Sequence, residues 1–198
     1  MVNHGRESFS WLKAIARLGR RVELDRSISP DYRYCPRCAE PLAPTIRGGL
    51  PRPACASCGF VHFRNPAVGV AVVLLDDAGR ILLGRRSAGG NVGEWCIPCG
   101  YVEWGEDIRD AARREFQEET GIDVEIGDVC AVHSNFHNPN SLTVGVWFYA
   151  KISGGELRAS DDLDQAAWFP PHSPPEPLAF PTDRLVLGDL ARQAGNPL

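Results

Sequence analysis

The sequence predicts an α/β domain preceded by a small metal-binding module. Val68 to Leu75 form a continuous apolar run, which is typical of a buried strand. Residues 107–120 contain neither Pro nor Gly and are rich in Ala and Glu, so this segment favours a helix. Upstream, two Cys-x-x-Cys pairs occupy a stretch that has little material for an apolar core. We therefore expect an N-terminal amphipathic helix within residues 1–31, a metal-binding module at 32–65 and the main domain at 66–198.

Length and charge limit the classes of protein that this chain can represent. Its 198 residues allow one domain of ordinary size and a small module, and the net charge of −4 argues against a generally basic, nucleic-acid-coating surface. No apolar run approaches bilayer thickness and no signal-peptide core lies near the start, so we expect no membrane partner. The seven Cys residues are an odd number whose spacing suits metal better than disulfides, which predicts a reducing, cytoplasmic location.

The N-terminal segment has apolar residues at helical spacing within residues 8–26, namely Trp11, Leu12, Ile15, Leu18 and Val22. An amphipathic helix of this kind could contact a membrane or carry a targeting signal. Glu7, Glu23 and Asp25 dilute its basic character, which favours a helix that docks on the protein itself or on a partner subunit.

The two Cys-x-x-Cys pairs predict a zinc ribbon. Each pair presents two thiolates from one tight turn, so four sulfurs can close a tetrahedron around Zn²⁺: Cys35, Cys38, Cys55 and Cys58. A closed site of four sulfurs has no open coordination position, which predicts a structural role. A redox dithiol is the alternative, but it requires only one such pair.

Further elements can be assigned from pattern and turn chemistry. A turn at residues 76–79 predicts that residues 80–86 return as the second arm of a hairpin with the strand at 68–75. Residues 124–134 and 142–152 are rich in Val and aromatic residues and predict two more strands. A C-terminal helix follows a Pro-rich linker, with Thr182 expected as its N-cap.

Three carboxylates of the central helix carry the strongest functional signal. Glu115, Glu118 and Glu119 stand at i, i+3 and i+4, so they are expected to share one face of one turn. Like charges packed so closely are destabilising unless a cation neutralises them, and hard oxygen ligands suit Mg²⁺ or Mn²⁺. Arg114 could hold one of these carboxylates, or Glu106, through a bidentate pair. The alternative is an exposed acidic helix.

The complete pattern decides between these alternatives. It reads Gly100, five residues, Glu106, seven residues, Arg114-Glu115, an apolar residue, any residue, Glu118-Glu119, any residue, Gly121 and an apolar residue. This pattern matches the Nudix box at every fixed position, so the chain resembles the Nudix hydrolases. The resemblance implies an α/β/α sandwich with a mixed sheet. It also implies divalent-metal-dependent hydrolysis of the diphosphate bond in a nucleoside diphosphate linked to another group.

The resemblance assigns further site residues. Trp95 and Pro98 match the family's sequence before the box, where the backbone carbonyl at the position of Cys99 often ligates a metal. Asp162 stands six positions before Trp168, where related enzymes have an acidic residue that completes the metal site or acts as a base. Glu118 and Glu119 are then expected as ligands and Glu115 as ligand or base, with Glu106 and Arg114 orienting carboxylates. Cys96 and Cys99 could form a redox-sensitive or zinc-binding pair, although two buried side chains are the expectation.

Candidate substrate contacts lie at strand ends. Arg85 or Arg86 could reach a substrate phosphate, with a solvated strand end as the equal alternative. Phe136 and His137 could stack on a base or flavin ring, or form a hairpin loop with one aromatic packed down.

The substrate expectation comes from the finer resemblance. A four-Cys ribbon, residues 64–66 (Arg-Asn-Pro) and residues 178–180 (Leu-Ala-Phe) are similar to the zinc-ribbon Nudix group that includes plant plastid FAD and ADP-ribose pyrophosphatases. That similarity favours FAD or ADP-ribose and allows a homodimer. Members that cleave NADH or NAD caps carry Ser-Gln-Pro-Trp-Pro-Phe-Pro-x-Ser, of which residues 133–141 keep only three positions. Two alternatives are an NAD-cap pyrophosphatase whose ribbon arginines contact RNA (Arg47, Arg52 and Arg64) and a non-catalytic binding module.

Overall fold

The computed structural model describes residues 32–138 and 141–195. The helix expected within residues 8–26 lies outside this part of the chain. The chain divides into two compact units, with the boundary between Asn65 and Pro66. In the part of the chain described, no helix is both long and apolar enough to cross a membrane.

The first unit contains a two-stranded antiparallel sheet formed by β1 (Ala43–Arg47) and β2 (Leu50–Ala54). Gly48 and Gly49 connect the strands with φ angles of 60° and 76°. Two consecutive positive φ angles give a turn whose twist matches that of the flanking strands, and glycine adopts them without a Cβ clash. The sheet therefore forms locally, and the two Cys-x-x-Cys turns flank it.

The second unit contains two sheets and two helices. Its elements are β3 (Ala67–Leu74), β4 (Ile81–Arg86), β5 (Trp95–Cys96), β6 (Cys99–Tyr101), α1 (Ile108–Thr120), β7 (Ile122–Asn135), β8 (Thr143–Gly155), β9 (Leu163–Phe169) and α2 (Pro181–Gln193). One sheet has the strand order β6-β3-β8-β7 and the other has the order β5-β4-β9. Strand β3 runs antiparallel to β6 and parallel to β8, so the sheet is mixed, as expected from the family resemblance.

The predicted turn between β3 and β4 is present, but the predicted pairing of these two strands is wrong. Backbone N–H groups of Ala78 and Arg80 bond the Asp76 carboxylate, and one bridge joins Leu75 to Ile81. After that bridge the two strands enter different sheets. Both edges of β3 are already paired with β6 and β8, so no backbone donors remain for β4.

The helices pack on opposite faces of the β6-β3-β8-β7 sheet because successive strand residues point to opposite sides. Helix α1 buries Phe116 against one face of this sheet, which presents Val70, Val72 and Phe148. Helix α2 buries its apolar side against the other face, which presents Ala71, Val73 and Trp147. This arrangement is the expected α/β/α sandwich.

The predicted boundaries of α1 are confirmed by its caps. Asp107 accepts a hydrogen bond from the backbone N–H of Arg109 at 2.8 Å, and Gly121 ends the helix with φ of 71°. The predicted N-cap of α2 is wrong, since that helix begins at Pro181 after an extended Phe180. Proline suits the first helical position because its fixed φ is already helical and it lacks an N–H that would need a partner. Thr182 consequently lies buried inside the first turn.

Candidate active site

A cavity of about 570 Å³ in the second unit brings together six of the eleven site residues predicted in that unit. Its lining comes from β3, β4, β6, α1, β8, both ends of the β7–β8 connection, the loop before β9 and the start of α2. The predicted residues among the lining are Arg86, Cys99, Glu115, Glu119, His137 and Asp162. The site is therefore built from segments that are far apart in sequence.

Glu119 is the most deeply buried carboxylate of the box, with 1% of its surface exposed. Its Oε2 accepts a hydrogen bond from the backbone N–H of Cys99 at 2.8 Å. The pKa of Glu119 is raised well above its usual range, first by burial and then by Cys99 and the neighbouring carboxylate of Asp162. Two acidic groups thus meet inside the cavity, an arrangement that a bound cation would stabilise.

Arg114 organises the other carboxylates of the box. Its guanidinium forms a fork on Glu106, with Nε to Oε1 at 2.8 Å and Nη2 to Oε2 at 2.9 Å. Its Nη1 also donates to Glu115 at 2.8 Å and to Glu118 at 3.1 Å. Arg114 lowers the pKa of Glu106 to about 2, so Glu106 stays ionised and anchors the guanidinium. Arg114 in turn fixes Glu115 at the cavity wall.

Glu118 does not share the surroundings of the other two helix carboxylates. Its side chain is 46% exposed and does not line the cavity, whereas Glu115 and Glu119 do. Adjacent helical residues differ in direction by about 100°, so Glu118 and Glu119 lie at the two edges of one face of α1, with Glu115 between them. The three carboxylates thus share one face, as predicted, with Glu115 and Glu119 at the cavity and Glu118 at its outer edge beside Arg114.

Gly100 is required for the position of Glu115. A Cβ at residue 100 would lie 2.0 Å from Cδ of Glu115 and 2.1 Å from its Oε2. Any side chain there would displace the carboxylate. The close approach explains why the box needs glycine at this position.

The two arginines of β4 have different surroundings. Arg85 makes two bonds of 2.8 Å to Asp164 and does not line the cavity. Arg86 lines the cavity, donates to Asp162 at 3.0 Å and holds the Gly90 carbonyl at 2.9 Å. Of the two candidate phosphate contacts, the geometry places only Arg86 beside the acidic cluster.

The predicted aromatic pair at residues 136 and 137 is also divided. Phe136 is 49% exposed and is absent from the cavity wall, whereas His137 lines it. The ring of His137 lies 5.5 Å from that of Phe180. The guanidinium of Arg86 lies over the same Phe180 ring, 5.5 Å from its centre. Phe180 had appeared in the sequence only as part of the family-like Leu-Ala-Phe segment.

Cys96 and Cys99 lie on opposite sides of a short connection between β5 and β6. Cys96 is fully buried, as expected, whereas Cys99 is partly exposed and lines the cavity. The pKa of Cys99 is raised well above its usual range, first by the Cys96 side chain and then by burial. The Cys99 thiol is therefore in its neutral, less reactive form, consistent with a packing role.

Sequence reasoning missed a polar wall opposite the box, formed by Asn135, Trp147, Thr182 and Asp183. Asp183 is 2% exposed, and burial raises its pKa to about 7 although the backbone N–H of Ile97 and the Trp147 side chain oppose the shift. No motif links these residues, and the only sequence signal was an isolated Trp and Asp within apolar segments.

In the first unit, the four predicted Cys residues form one cluster. Their sulfur atoms all lie within 4.8 Å of one another, with 3.4 Å between Cys35 and Cys58 and 3.5 Å between Cys38 and Cys55. All four are free thiols. A tetrahedral site with Zn–S bonds of about 2.3 Å has S–S edges of about 3.8 Å, so the cluster could hold zinc.

Comparisons with known proteins identify the family of this chain. The NUDIX domain family matches residues 65–188. An ADP-ribose pyrophosphatase from Methanocaldococcus jannaschii is 32% identical over 125 residues, which cover 63% of this chain and 73% of that protein. The NAD-capped RNA hydrolase NudC from Stutzerimonas stutzeri is 30% identical over 153 residues, covering 77% of this chain and 52% of NudC.

A solved NUDIX hydrolase from Nitrosomonas europaea has a TM-score of 0.71 with 27% identity and covers 84% of this chain and 95% of its own. The present chain spans about half the length of the NudC relatives that it matches. The family match includes the box and every residue that lines the cavity. The chain therefore belongs to the Nudix family of hydrolases.

Proposed function

We propose that this protein hydrolyses the diphosphate bond of a nucleoside diphosphate linked to a second group, with ADP-ribose or FAD as substrate. The observation that carries the proposal is the convergence of Glu115, Glu119 and Asp162 on one cavity beside Arg86. The similarity to a protein named ADP-ribose pyrophosphatase supports the nucleotide class.

The donor set of this cavity fits Mg²⁺ or Mn²⁺. Carboxylate and carbonyl oxygens are the ligands that these hard cations prefer, and the buried Glu119 beside Asp162 has no cationic partner of its own among the described residues. Glu115, Glu119 and the Cys99 carbonyl would hold the ions. A bound divalent cation offsets the charge of a diphosphate and lowers the pKa of a coordinated water.

The remaining residues position the reacting groups. Arg86, whose side chain is mostly buried at the cavity wall, would bind a phosphate oxygen beside the acidic cluster. Glu115 or Asp162 would accept the proton of the attacking water, which then displaces one phosphate from the other by in-line substitution. Arg114 and Glu106 keep Glu115 in place throughout.

The different surroundings of the two β4 arginines give a matched pair of variants. We expect Arg86→Ala to raise KM for ADP-ribose and lower kcat/KM by about 10- to 100-fold, because charged hydrogen bonds contribute about 1.5–3 kcal/mol. Arg85→Ala should leave both constants within about twofold, since Arg85 contacts Asp164 outside the cavity. Steady-state kinetics of both variants measures the difference, and an equal loss in the two would contradict the assignment of Arg86.

Gly100→Ala tests the close approach to Glu115. The new methyl must displace the Glu115 carboxylate, so we expect kcat to fall by about 10- to 100-fold. The melting temperature should change little, because the displaced group is the end of a flexible side chain. Gly90→Ala is the control, since a Cβ there meets no atom within 4 Å. Unchanged turnover in Gly100→Ala would show that the position of Glu115 is not required.

The reaction itself is tested by incubating the full chain with FAD, ADP-ribose, NADH, NAD, a dinucleoside polyphosphate and NAD-capped RNA. Each is tested with Mg²⁺ and with Mn²⁺, and the products are separated by chromatography. We expect cleavage between the two phosphates of ADP-ribose or FAD to be fastest. No turnover of any of them in the metal-loaded protein would reject the proposal.

A second candidate is removal of NAD caps from RNA, which several relatives are named for. The first unit supports it with cationic and aromatic pairs, since Arg37 lies 5.6 Å above Phe60 and Arg52 lies 4.6 Å above Phe63. Filter binding of capped RNA over a range of salt concentrations separates this candidate. RNA contact through arginines should weaken steeply with salt.

We further propose that the four-Cys cluster of residues 32–65 holds Zn²⁺ in a structural role. All four sulfur ligands come from the protein, which leaves no coordination position for a substrate.

A further inference from the structure

The chain passes from one sheet of the second unit to the other through residues 97–99, which we call the crossing. Cys96 ends β5 in the β5-β4-β9 sheet, Cys99 begins β6 in the other sheet, and only Ile97 and Pro98 lie between them. Ile97 is fully buried, so its backbone N–H needs a partner from the protein. Cys99 carries the carbonyl proposed above as a metal ligand, and the position of the crossing therefore bears directly on the metal site.

Two carboxyl groups hold the crossing, one from each helix. The backbone N–H of Cys99 donates to Glu119 in α1 at 2.8 Å. The backbone N–H of Ile97 donates to Oδ2 of Asp183 in α2 at 3.0 Å. The carbonyl of Pro98 accepts a hydrogen bond from β3 at 3.1 Å. Because proline has no N–H, these two carboxyl groups bind both backbone donors of the crossing.

These two carboxyl groups are also exceptional in their burial. In the part of the chain that the structure describes, Glu119 and Asp183 are the only buried acidic residues, with 1% and 2% of their surfaces exposed. Burying a carboxyl group is unfavourable unless hydrogen-bond donors compensate for the lost water. The indole N–H of Trp147 gives Asp183 a second donor. Both buried acidic residues of the described chain thus bind the same three-residue crossing.

We propose that Asp183 is a positioning residue that holds the crossing in place for binding of a divalent cation. Asp183 fixes Ile97, two residues before the Cys99 carbonyl, and Glu119 fixes the N–H of Cys99 itself. Without the contact to Asp183, the Cys99 carbonyl is free to move relative to Glu119. The inference rests on the proposed function, since it takes Cys99 and Glu119 as parts of the metal site. It assigns Asp183 a role through Cys99 rather than through contact with the substrate.

Binding of Mn²⁺ alone tests this role without turnover. Calorimetric titration of the full chain measures the affinity of the wild-type protein and of each variant. We expect Asp183→Ala to weaken Mn²⁺ binding about tenfold or more, because groups that orient metal ligands contribute about 10- to 100-fold to metal affinity. Asp183→Asn keeps an acceptor oxygen for the Ile97 N–H, so its affinity should stay within about threefold of the wild-type value. Wild-type affinity in Asp183→Ala would overturn the proposal.

Hydrogen exchange separates positioning from a general loss of packing. In Asp183→Ala the amide of Ile97 should lose protection while the amides of β8 keep theirs, and Asp183→Asn should restore the protection of Ile97. Asp189→Ala is the matched control, because Asp189 lies in the same helix, is half-exposed and pairs with Arg192. It should change neither the exchange nor the Mn²⁺ affinity.

Asp183→Glu keeps the test decisive where Asp183→Ala does not fold. It retains the carboxyl group but moves it by one methylene, so we expect it to weaken Mn²⁺ binding about tenfold while Asp183→Asn does not. Equal Mn²⁺ affinity in the Glu and Asn variants would overturn the proposal. Loss of protection throughout the second unit, in parallel with loss of Mn²⁺ binding, would show a structural role only.

Steady-state kinetics distinguishes a role at the metal from contact with the substrate. We expect Asp183→Ala to lower kcat and to raise the Mn²⁺ concentration that gives half of the maximal rate, with KM for the dinucleotide within about threefold. A large increase in KM at an unchanged metal requirement would overturn the proposal. If the wild-type chain binds Mn²⁺ but hydrolyses no dinucleotide, the proposed reaction fails and the Mn²⁺ affinities still decide the role of Asp183. Wild-type protein that binds no Mn²⁺ would overturn both.

Discussion

Glu119→Gln should lower kcat for the preferred dinucleotide by about 10³-fold or more, equivalent to about 4 kcal/mol of activation free energy. The substitution keeps the shape of the side chain and its contact with the Cys99 backbone N–H. It removes a negative charge that lies beside Asp162 in a buried position. A divalent cation bound there would lose a ligand, and the diphosphate would lose the charge compensation that the cation provides.

The stability of the same variant separates catalysis from folding. In the metal-free protein the Glu119 carboxyl is destabilised by burial and by neighbouring acidic groups, so Gln should leave the melting temperature unchanged or raise it. Added Mn²⁺ should stabilise the wild-type protein and should have a smaller effect on the variant. Retained turnover in Glu119→Gln would remove Glu119 from the metal site.

Glu118→Gln is the matched control because it changes the neighbouring residue of the same helix in the same way. Glu118 is half-exposed, outside the cavity, and bonded to Arg114. We expect a decrease in kcat at least tenfold smaller than that for Glu119→Gln, through the loss of one contact to Arg114. An equal decrease in both variants would show that all three carboxylates are ligands, as the sequence predicts.

The box illustrates how far sequence reasoning reaches. Helix α1 could be predicted because its cap at Asp107, its Ala- and Glu-rich interior and its stop at Gly121 are all local signals. The spacing of Glu115, Glu118 and Glu119 gave their positions on the helix. It did not give which side of the helix faces the cavity, because that depends on how α1 packs against the sheet.

The polar wall could not be predicted for a related reason. Asn135, Trp147 and Thr182 come from β7, β8 and α2, and they meet only after the sheet has formed. Strand pairing between distant segments is set by the whole fold rather than by local preference. The same cause explains why the predicted hairpin between β3 and β4 is wrong. Strand β3 pairs with β6 and β8, and β4 lies in the other sheet.

Loss of zinc should unfold the module at residues 32–65 and leave the second unit folded. Only four described residues of this module are buried, namely Cys35, Pro53, Ala54 and Cys55, and two of these belong to the four-Cys cluster. Modules of fewer than about 40 residues seldom fold on an apolar core alone. Structural zinc sites contribute about 10–16 kcal/mol of apparent binding free energy at neutral pH, which here would replace the missing core.

Cys55→Ser tests this dependence. We expect bound zinc to fall from one ion per chain to nearly none by mass spectrometry of the metal content. Backbone amides of β1 and β2 should lose their protection against hydrogen exchange, while those of β3 and α1 keep theirs. Cys130→Ser is the control, because Cys130 lies in β7 and outside the four-sulfur cluster. If the amides of β1 and β2 stay protected after zinc is lost, contacts within the chain alone hold the first unit together. The metal would then have no structural role.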